Sequence, residues 1–444
     1  MRTLALPYAT APVRLCADQA VVYGEDYTHP LRHFRLSAGG LDLLRRVLRG
    51  RPVAPDGEGP AFLRRLPFVA IYEATLPRVE SVVVDGQLGG PSEWAGVVHS
   101  SECARGVSSL LVSFRQRRIA CGGVELPLPA PWNRRTCLAV ARALVQALSP
   151  ERVMVVGHEP GARLFDLLSP ERAWLVETGF AESEVVPARA EALFDRVLDE
   201  VLFREHAFPW DNLAQSLGTA EAIRRSRGWV WSAPLAARLA ARFPEASVGF
   251  VPPSVDLCRF AERSASGTTG RLRILAGTGA HTLGAHGVDF LALRALVAAV
   301  RAVEEATLTV VTGDPERLLS LVDADHPRVA VRARASPAEM TALYAGHDVY
   351  YRVQADASLP LSCVEALASG LAVLMSDLAA ETFPALRHGE NALFVQHGSS
   401  AELERAFRLL AGDGVAARIG QAAAATARRA CGLSDCLRAI GWWR

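Results

Sequence analysis

A glutamate near the start of a predicted helix is the residue whose type and position point most directly to chemistry. Glu365 follows the letters LPLS, and we expect it in the first turn of a helix over residues 362–369. A carboxylate there can accept two hydrogen bonds from a vicinal diol such as that of ribose, each worth about 1.5–3 kcal/mol. The alternative is an ordinary glutamate that only favours the helix dipole.

Backbone donors at the same helix start add a second kind of recognition. The N–H groups around Leu361, Ser362 and Cys363 are expected to lack intrahelical partners, and with the helix dipole they favour a diphosphate. The turn at Gly370 is expected to let the helix pack closely on its sheet. A carboxylate and a helix tip side by side would suit a ribose diphosphate.

The elements that must position these groups follow a regular order in the C-terminal half. Short apolar runs alternate with helical segments, which predicts parallel βαβ units and a doubly wound sheet. Ser336, Pro337 and Glu339 carry the signals of a helix start. Strands are predicted at 273–276, 307–311, 328–331, 348–352, 371–375 and 392–395. Ligands of such sheets bind beyond the carboxyl ends of the strands.

The N-terminal half also predicts an α/β domain, with a less regular pattern. Pro30 is interpreted as a helix entry, and we place the domain junction between Val251 and Gly270. Helices are predicted at 136–148 and 190–203, and strands at 68–72, 81–84, 110–113, 153–156 and 173–176.

Composition excludes several classes of protein. The 444 residues suit two domains. Lys and Arg number 48 against 47 Asp and Glu, so the basic footprint of a nucleic-acid binder is missing. No apolar run is long enough for a transmembrane segment. Eight scattered cysteines without a CxxC pattern favour reduced thiols, and hence a cytoplasmic location.

The stretch over residues 357–395 resembles the donor-binding core of glycosyltransferase family 4 and related retaining enzymes. LPLSCVEALASG, MSD and HGENALFV stand in the order and spacing of the family pattern, and VVTGDPERLLSLV and FVPPSVDLCRF extend the likeness upstream. The resemblance implies an α/β GT-B fold, in which two Rossmann-like domains face each other across a cleft. Residues 1–255 would form the acceptor-side domain and residues 256–444 the nucleotide-sugar-binding domain, whose last helices could return to the N-terminal domain.

The resemblance also implies an activity. A sugar would pass from a nucleotide diphosphate sugar to an acceptor that could be a glycan, lipid, protein or small molecule, with retention of configuration and without a metal or cofactor. His158, at a strand end, and Asp356 are the catalytic candidates. The implied donor-binding residues are Glu365, Leu361, Ser362, Cys363, Gly277, Thr278, His286 and Arg352.

Three departures from the family pattern leave alternatives open. Ala357 stands where the sugar-holding glutamate is expected, with Asp356 beside it. Thr278 and His286 replace the arginine and lysine that grip the diphosphate; a protonated His286 or Arg352 could supply charge instead, or His286 is an exposed loop residue. The hinge lacks the usual Asn-Gly. A catalytically degenerate GT-B protein, acting as a binding or partner subunit, is the main alternative, and an enzyme that joins non-sugar groups is a further one.

Overall fold

The structure is a computed structural model, and its description covers part of the chain. The described residues are 2–10, 13–16, 19–23, 30–48, 58–85, 90–114, 116–157, 164, 168–177, 223–260, 270–277, 290–313, 315–321, 325–333, 335–353 and 359–443.

The N-terminal half contains both strands and helices, in a less regular order than the C-terminal half. Its strands are β1 (Arg2–Ala9), β2 (Val13–Cys16), β3 (Gln19–Tyr23), β4 (Pro30–Arg35), β5 (Val69–Leu76), β6 (Ser81–Asp85), β7 (Ser109–Ser113), β8 (Arg118–Cys121), β9 (Val124–Glu125), β10 (Arg152–Val156), β11 (Ala173–Glu177), β12 (Arg227–Val230) and β13 (Ser247–Phe250). Its helices are α1 (Ala38–Leu48), α2 (Glu58–Arg64), α3 (Gly90–Ala104), α4 (Arg134–Leu148) and α5 (Ala233–Arg242).

An eight-stranded sheet forms the centre of this half, in the order β13-β12-β11-β10-β6-β7-β8-β9. The run β11-β10-β6-β7 is parallel, and β8 and β9 add an antiparallel edge. Every residue of β6 and β7 is buried, as expected for strands covered on both faces. Two smaller antiparallel sheets accompany it, β1-β5 and β2-β3-β4.

The C-terminal half contains six further strands and seven helices among the described residues. The strands are β14 (Leu272–Gly277), β15 (Ala306–Val311), β16 (Val329–Arg332), β17 (Val349–Arg352), β18 (Ala372–Ser376) and β19 (Leu393–Val395). The helices are α6 (Phe290–Ala302), α7 (Pro315–Leu321), α8 (Pro337–Gly346), α9 (Leu361–Ala368), α10 (Ser400–Ala411), α11 (Val415–Ala430) and α12 (Leu433–Ala439).

All six C-terminal strands pair in parallel, in the order β16-β15-β14-β17-β18-β19. Numbered from β14, this is the doubly wound order 3-2-1-4-5-6, in which the order of strand addition reverses between the first and fourth strands. The apolar sides of α6 and α10 join β14, β15 and β17 in one buried core. The order therefore puts a topological switch point between β14 and β17.

The chain divides into two compact units. Met1–Gln87, Pro91–Gly228 and Arg242–Val248 form the N-terminal unit, and the remaining residues form the C-terminal unit. Within the C-terminal unit, Val255 bonds to both sides of the α11–α12 turn, donating to the Cys431 carbonyl (3.0 Å) and accepting from the Leu433 amide (3.1 Å). The boundary at residues 255/256 stays a prediction.

Comparison with the sequence predictions confirms the α/β class and every predicted C-terminal strand, within one residue or two at each end. Ser336 and Glu339 form the predicted capping box. The helix entry at Pro30 is wrong: β4 begins there, because residues 30–35 pair with β3. The predicted helix over residues 190–203 lies outside the described residues.

Candidate functional site

The switch point of the C-terminal sheet brings two of the predicted site residues together. Gly277 is the last residue of β14 and Arg352 the last of β17, and the two are register partners. Both therefore lie at the carboxyl edge, where ligands of doubly wound sheets bind. Arg352 is buried, with 2% of its surface exposed, so a positive charge lies within the protein at this edge.

The helix that follows β17 supplies the predicted backbone donors. Its N-cap, Pro360, makes no side-chain cap, so no side chain of the cap satisfies the first amides of α9. One part of the prediction is wrong: the Cys363 amide donates to the Pro360 carbonyl at 3.0 Å and is not unpaired. Leu361 and Ser362 remain as the amides without an intrahelical acceptor.

Glu365 lies one residue further along its helix than the sequence predicted, just past the first turn of α9. The helix begins at Leu361, which makes Glu365 its fifth residue and places no acidic side chain in the first turn. A helix-dipole role is weaker at this depth, because the effect falls off within the first turn. Glu365 is partly exposed, and its Oε2 accepts a hydrogen bond of 2.9 Å from the Tyr344 hydroxyl.

Ser362 has a similar arrangement three residues earlier. The Tyr350 hydroxyl donates to Ser362 Oγ at 2.9 Å. A Cβ atom on Gly277 would come within 3.0 Å of the same tyrosine oxygen, so the glycine leaves room for it. The rings of Tyr344 and Tyr350 pack edge to face, with centroids 6.0 Å apart.

Both tyrosines keep their protons at physiological pH. Burial raises the pKa of Tyr344 well above its ordinary value, and the nearby Glu365 carboxylate raises it further. Burial also raises the pKa of Tyr350; the positive charge of Arg352 acts in the opposite direction but does not outweigh it. Each hydroxyl is therefore a fixed donor toward α9.

Gly370 ends α9 as the sequence analysis anticipated. It has φ +80°, its amide donates to the Leu367 carbonyl (3.0 Å), and the Leu371 amide donates to the Ala366 carbonyl (3.1 Å). These two bonds form a Schellman motif. The helix therefore stops sharply and the chain enters β18, which keeps α9 against the sheet.

Two of the matched motif segments contain side chains that bond to neighbouring backbone groups, a structural role that the sequence analysis did not predict. Asn391, in the HGEN segment, accepts from the Arg387 amide (2.7 Å) and donates to the Ala385 carbonyl and Thr426 Oγ1 (both 2.9 Å). Asp377, in the MSD segment, accepts from the His397 amide at 3.1 Å. An asparagine or aspartate in a turn is the one signal that could have indicated such backbone contacts.

Four predicted site residues lie outside the described residues: His158, Asp356, Thr278 and His286. Their assignment stays a prediction. In the part of the chain that the structure describes, no group of three or more His, Cys, Asp or Glu side chains is arranged to hold a metal ion. Among the same residues, no helix has the length and apolarity to cross a membrane.

Residues 274–413 match the family model described as "Glycosyl transferases group 1". The chain is a glycosyltransferase carrying this domain. The match covers the switch point, α9 and the segments around Asp377 and Asn391. Membership of family 4 in particular stays a prediction. A search of curated protein sequences finds no match.

Solved structures similar to this glycosyltransferase have the GT-B fold, which confirms the predicted fold class. Sucrose-phosphate synthase from Thermosynechococcus elongatus is 15% identical with a TM-score of 0.58, over 82% of this chain and 98% of its own. WaaG, a glycosyltransferase of lipopolysaccharide biosynthesis, is 14% identical with a TM-score of 0.57, over 82% and 99%. Anabaena HepE in complex with UDP-glucose is 14% identical with a TM-score of 0.55, over 82% and 98%.

Proposed function

We propose that this glycosyltransferase takes its sugar from a nucleoside diphosphate sugar held at the carboxyl edge of the C-terminal sheet. The observation that carries the proposal is the partly exposed carboxylate of Glu365, on the helix that follows the switch-point strand β17. The carboxylate would accept hydrogen bonds from the ribose diol, and the amides of Leu361 and Ser362 would donate to the diphosphate. HepE, a structural neighbour, binds UDP and UDP-glucose.

Charge at this edge supports the same proposal. Arg352 stands at the end of β17, and a buried cation is screened less by solvent than an exposed one. It would supply positive potential toward the diphosphate, in place of the family's arginine and lysine. The departing diphosphate would be stabilised by these donors, and catalysis would rest on positioning and on this stabilisation.

The finer parts of the proposal come from the resemblance alone. Retention of configuration, independence of a metal or cofactor, and roles for His158, Asp356, Thr278 and His286 belong to it on that basis. The acceptor would be a glycan, lipid, protein or small molecule, and the location the cytoplasm.

Replacing the key carboxylate tests the donor site. For Glu365→Ala we expect UDP to bind at least about 100-fold more weakly by calorimetry, because two hydrogen bonds to a charged group are lost. Glu404→Ala is the matched control, since Glu404 is a glutamate of α10 whose contact is a surface ion pair with Arg408. Equal affinity of the wild type and Glu365→Ala would overturn the donor-site assignment.

A second measurement separates transfer from binding alone. Release of UDP from UDP-sugars is followed with a broad panel of acceptors. Turnover that Glu365→Ala reduces supports the transferase. Tight nucleotide binding without turnover on any acceptor would instead favour the degenerate binding subunit.

A further inference from the structure

Two buried tyrosine hydroxyls point at the two partly exposed polar side chains of α9. Tyr344 is on α8 and Tyr350 on β17, and both are almost fully buried. Their partners, Glu365 and Ser362, are three residues apart and so lie on one face of α9. Buried hydroxyls need partners, and here each finds its partner on a side chain that solvent can reach.

From this juxtaposition we propose that Tyr344 and Tyr350 are positioning residues that divide the donor site into an acceptor end and a donor end. This inference rests on the proposed function, whose ligand it refines. The Tyr344 hydroxyl fixes Glu365 as the acceptor for the ribose diol. The Tyr350 hydroxyl fills one acceptor position of Ser362, so the serine hydroxyl is directed to donate, toward a phosphate.

The direction of each hydrogen bond gives the pair this effect. Because both tyrosines are neutral and their hydroxyls donate to α9, neither competes with the diol as an acceptor at Glu365. A carboxylate has about four acceptor positions, so one bond from Tyr344 does not exhaust it. A hydroxyl that accepts a hydrogen bond is also polarised into a better donor, which strengthens Ser362 toward an anion.

Fixing these side chains lowers the entropy lost on binding. A partly exposed glutamate loses rotamer freedom when a ligand orders it, and the bond from Tyr344 has already restricted Glu365 before the ligand arrives. The edge-to-face packing of the two rings, with the space left by Gly277, holds the tyrosines themselves. A ligand therefore meets a site that is ordered in advance.

The test compares three ligands on conservative variants. Affinities for UDP, 2′-deoxy-UDP and UMP are measured by calorimetry on the wild type, Tyr344→Phe and Tyr350→Phe. We expect Tyr344→Phe to reduce the preference for UDP over 2′-deoxy-UDP about threefold to tenfold and to leave the preference for UDP over UMP unchanged. Tyr350→Phe should reduce the preference for UDP over UMP by a similar factor and leave the preference for UDP over 2′-deoxy-UDP unchanged.

Controls distinguish positioning from a merely structural role. Tyr72→Phe removes a buried hydroxyl on β5 that has no hydrogen-bond partner among the described residues, so both preferences should stay at wild-type values. A structural effect would lower the melting temperature, or weaken all three ligands equally, without changing either preference. That outcome would overturn the inference and leave the proposed function standing.

Failure of the proposed function has its own signature. If wild-type protein binds none of UDP, ADP and GDP, or if Glu365→Ala binds UDP as tightly as wild type, the donor site is wrong and the inference fails with it. If Glu365→Ala weakens UDP binding but Tyr344→Phe and Tyr350→Phe both keep the wild-type preferences, only the positioning inference fails.

Discussion

Arg273 donates three hydrogen bonds to the buried carboxylate of Asp348, from its backbone amide (2.8 Å), Nε (3.1 Å) and Nη2 (3.2 Å). The Asp348 amide returns a bond to the Arg273 carbonyl at 2.8 Å. These contacts lock the entry of β17 to the second residue of β14, the two strands whose other ends form the switch point. Asp348 is thus structural and buried, whereas Glu365 is partly exposed.

Removing this carboxylate should destabilise the protein. For Asp348→Ala we expect a loss of about 2 kcal/mol in the free energy of unfolding, because a buried backbone amide loses its acceptor. The loss stays below that of a fully buried ion pair, since the Arg273 side chain is 40% exposed and can regain water. Asp348→Asn keeps an oxygen for the amide and should lose less. Urea unfolding of both variants measures this, and an Ala variant as stable as wild type would contradict it.

Sequence reasoning located some site residues and missed others for one physical reason. Glu365 and Ser362 belong to a continuous stretch whose spacing is visible in the sequence. Tyr344 lies 21 residues before Glu365, on a different helix, and the three-dimensional structure alone shows that the two side chains meet. A buried tyrosine in an apolar run also gives no sign in the sequence of where its hydroxyl points.

At the scale of elements, prediction succeeded where burial is uniform. The C-terminal strands β14, β17 and β18 are short, almost wholly buried apolar runs, and helices separate them, so the alternation was readable. Strands β1 to β4 pair antiparallel with partners that only the three-dimensional structure identifies. The prediction of a helix entry at Pro30 was wrong there, because a proline is compatible with the first residue of a strand as well as of a helix.

The packing of α11 on the turn after α9 depends on a glycine. A Cβ atom on Gly420 would lie 2.0 Å from the carbonyl oxygen of Gly370, which is backbone and cannot rotate away. We therefore expect Gly420→Ala to cost about 3 kcal/mol or more in the free energy of unfolding, as overpacking against backbone does. It should also weaken UDP binding, because the strain falls on the turn that holds α9.

A second helical glycine provides the control for Gly420→Ala. Gly346, the last residue of α8, has no atom within 4 Å of the Cβ position and no positive φ. Gly346→Ala should therefore be neutral or stabilise by up to about 1 kcal/mol. Thermal unfolding of the two variants decides: equal melting temperatures would show that α11 does not need the close approach.

At the scale of the whole molecule, the pH dependence of stability should carry the signature of one buried histidine in the N-terminal unit. His99 lies on α3 with 2% of its surface exposed, and its Nδ1 is 3.1 Å from Ser109 Oγ. Burial lowers the pKa of His99 from 6.5 to about 4; the positive charge of Arg118 adds to this, while the Glu125 carboxylate opposes it. Among the described residues, the Cys103 thiol is a further titratable group in contact with the ring, with its Sγ 3.8 Å from His99 Nε2.

The direction in which stability changes with pH follows from proton uptake by the unfolded chain. Between pH 6.5 and about 4 the unfolded chain binds a proton at His99 that the folded chain refuses, so stability falls as pH decreases through this window and is insensitive to His99 above it. From pH 7.5 to 5.5 the loss should be about 1.3 kcal/mol. Urea unfolding of wild type and His99→Gln at both pH values measures the contribution of His99 to this loss. The variant should lose about 1.3 kcal/mol less than wild type in its free energy of unfolding. Equal losses in the two proteins would contradict a lowered pKa at His99.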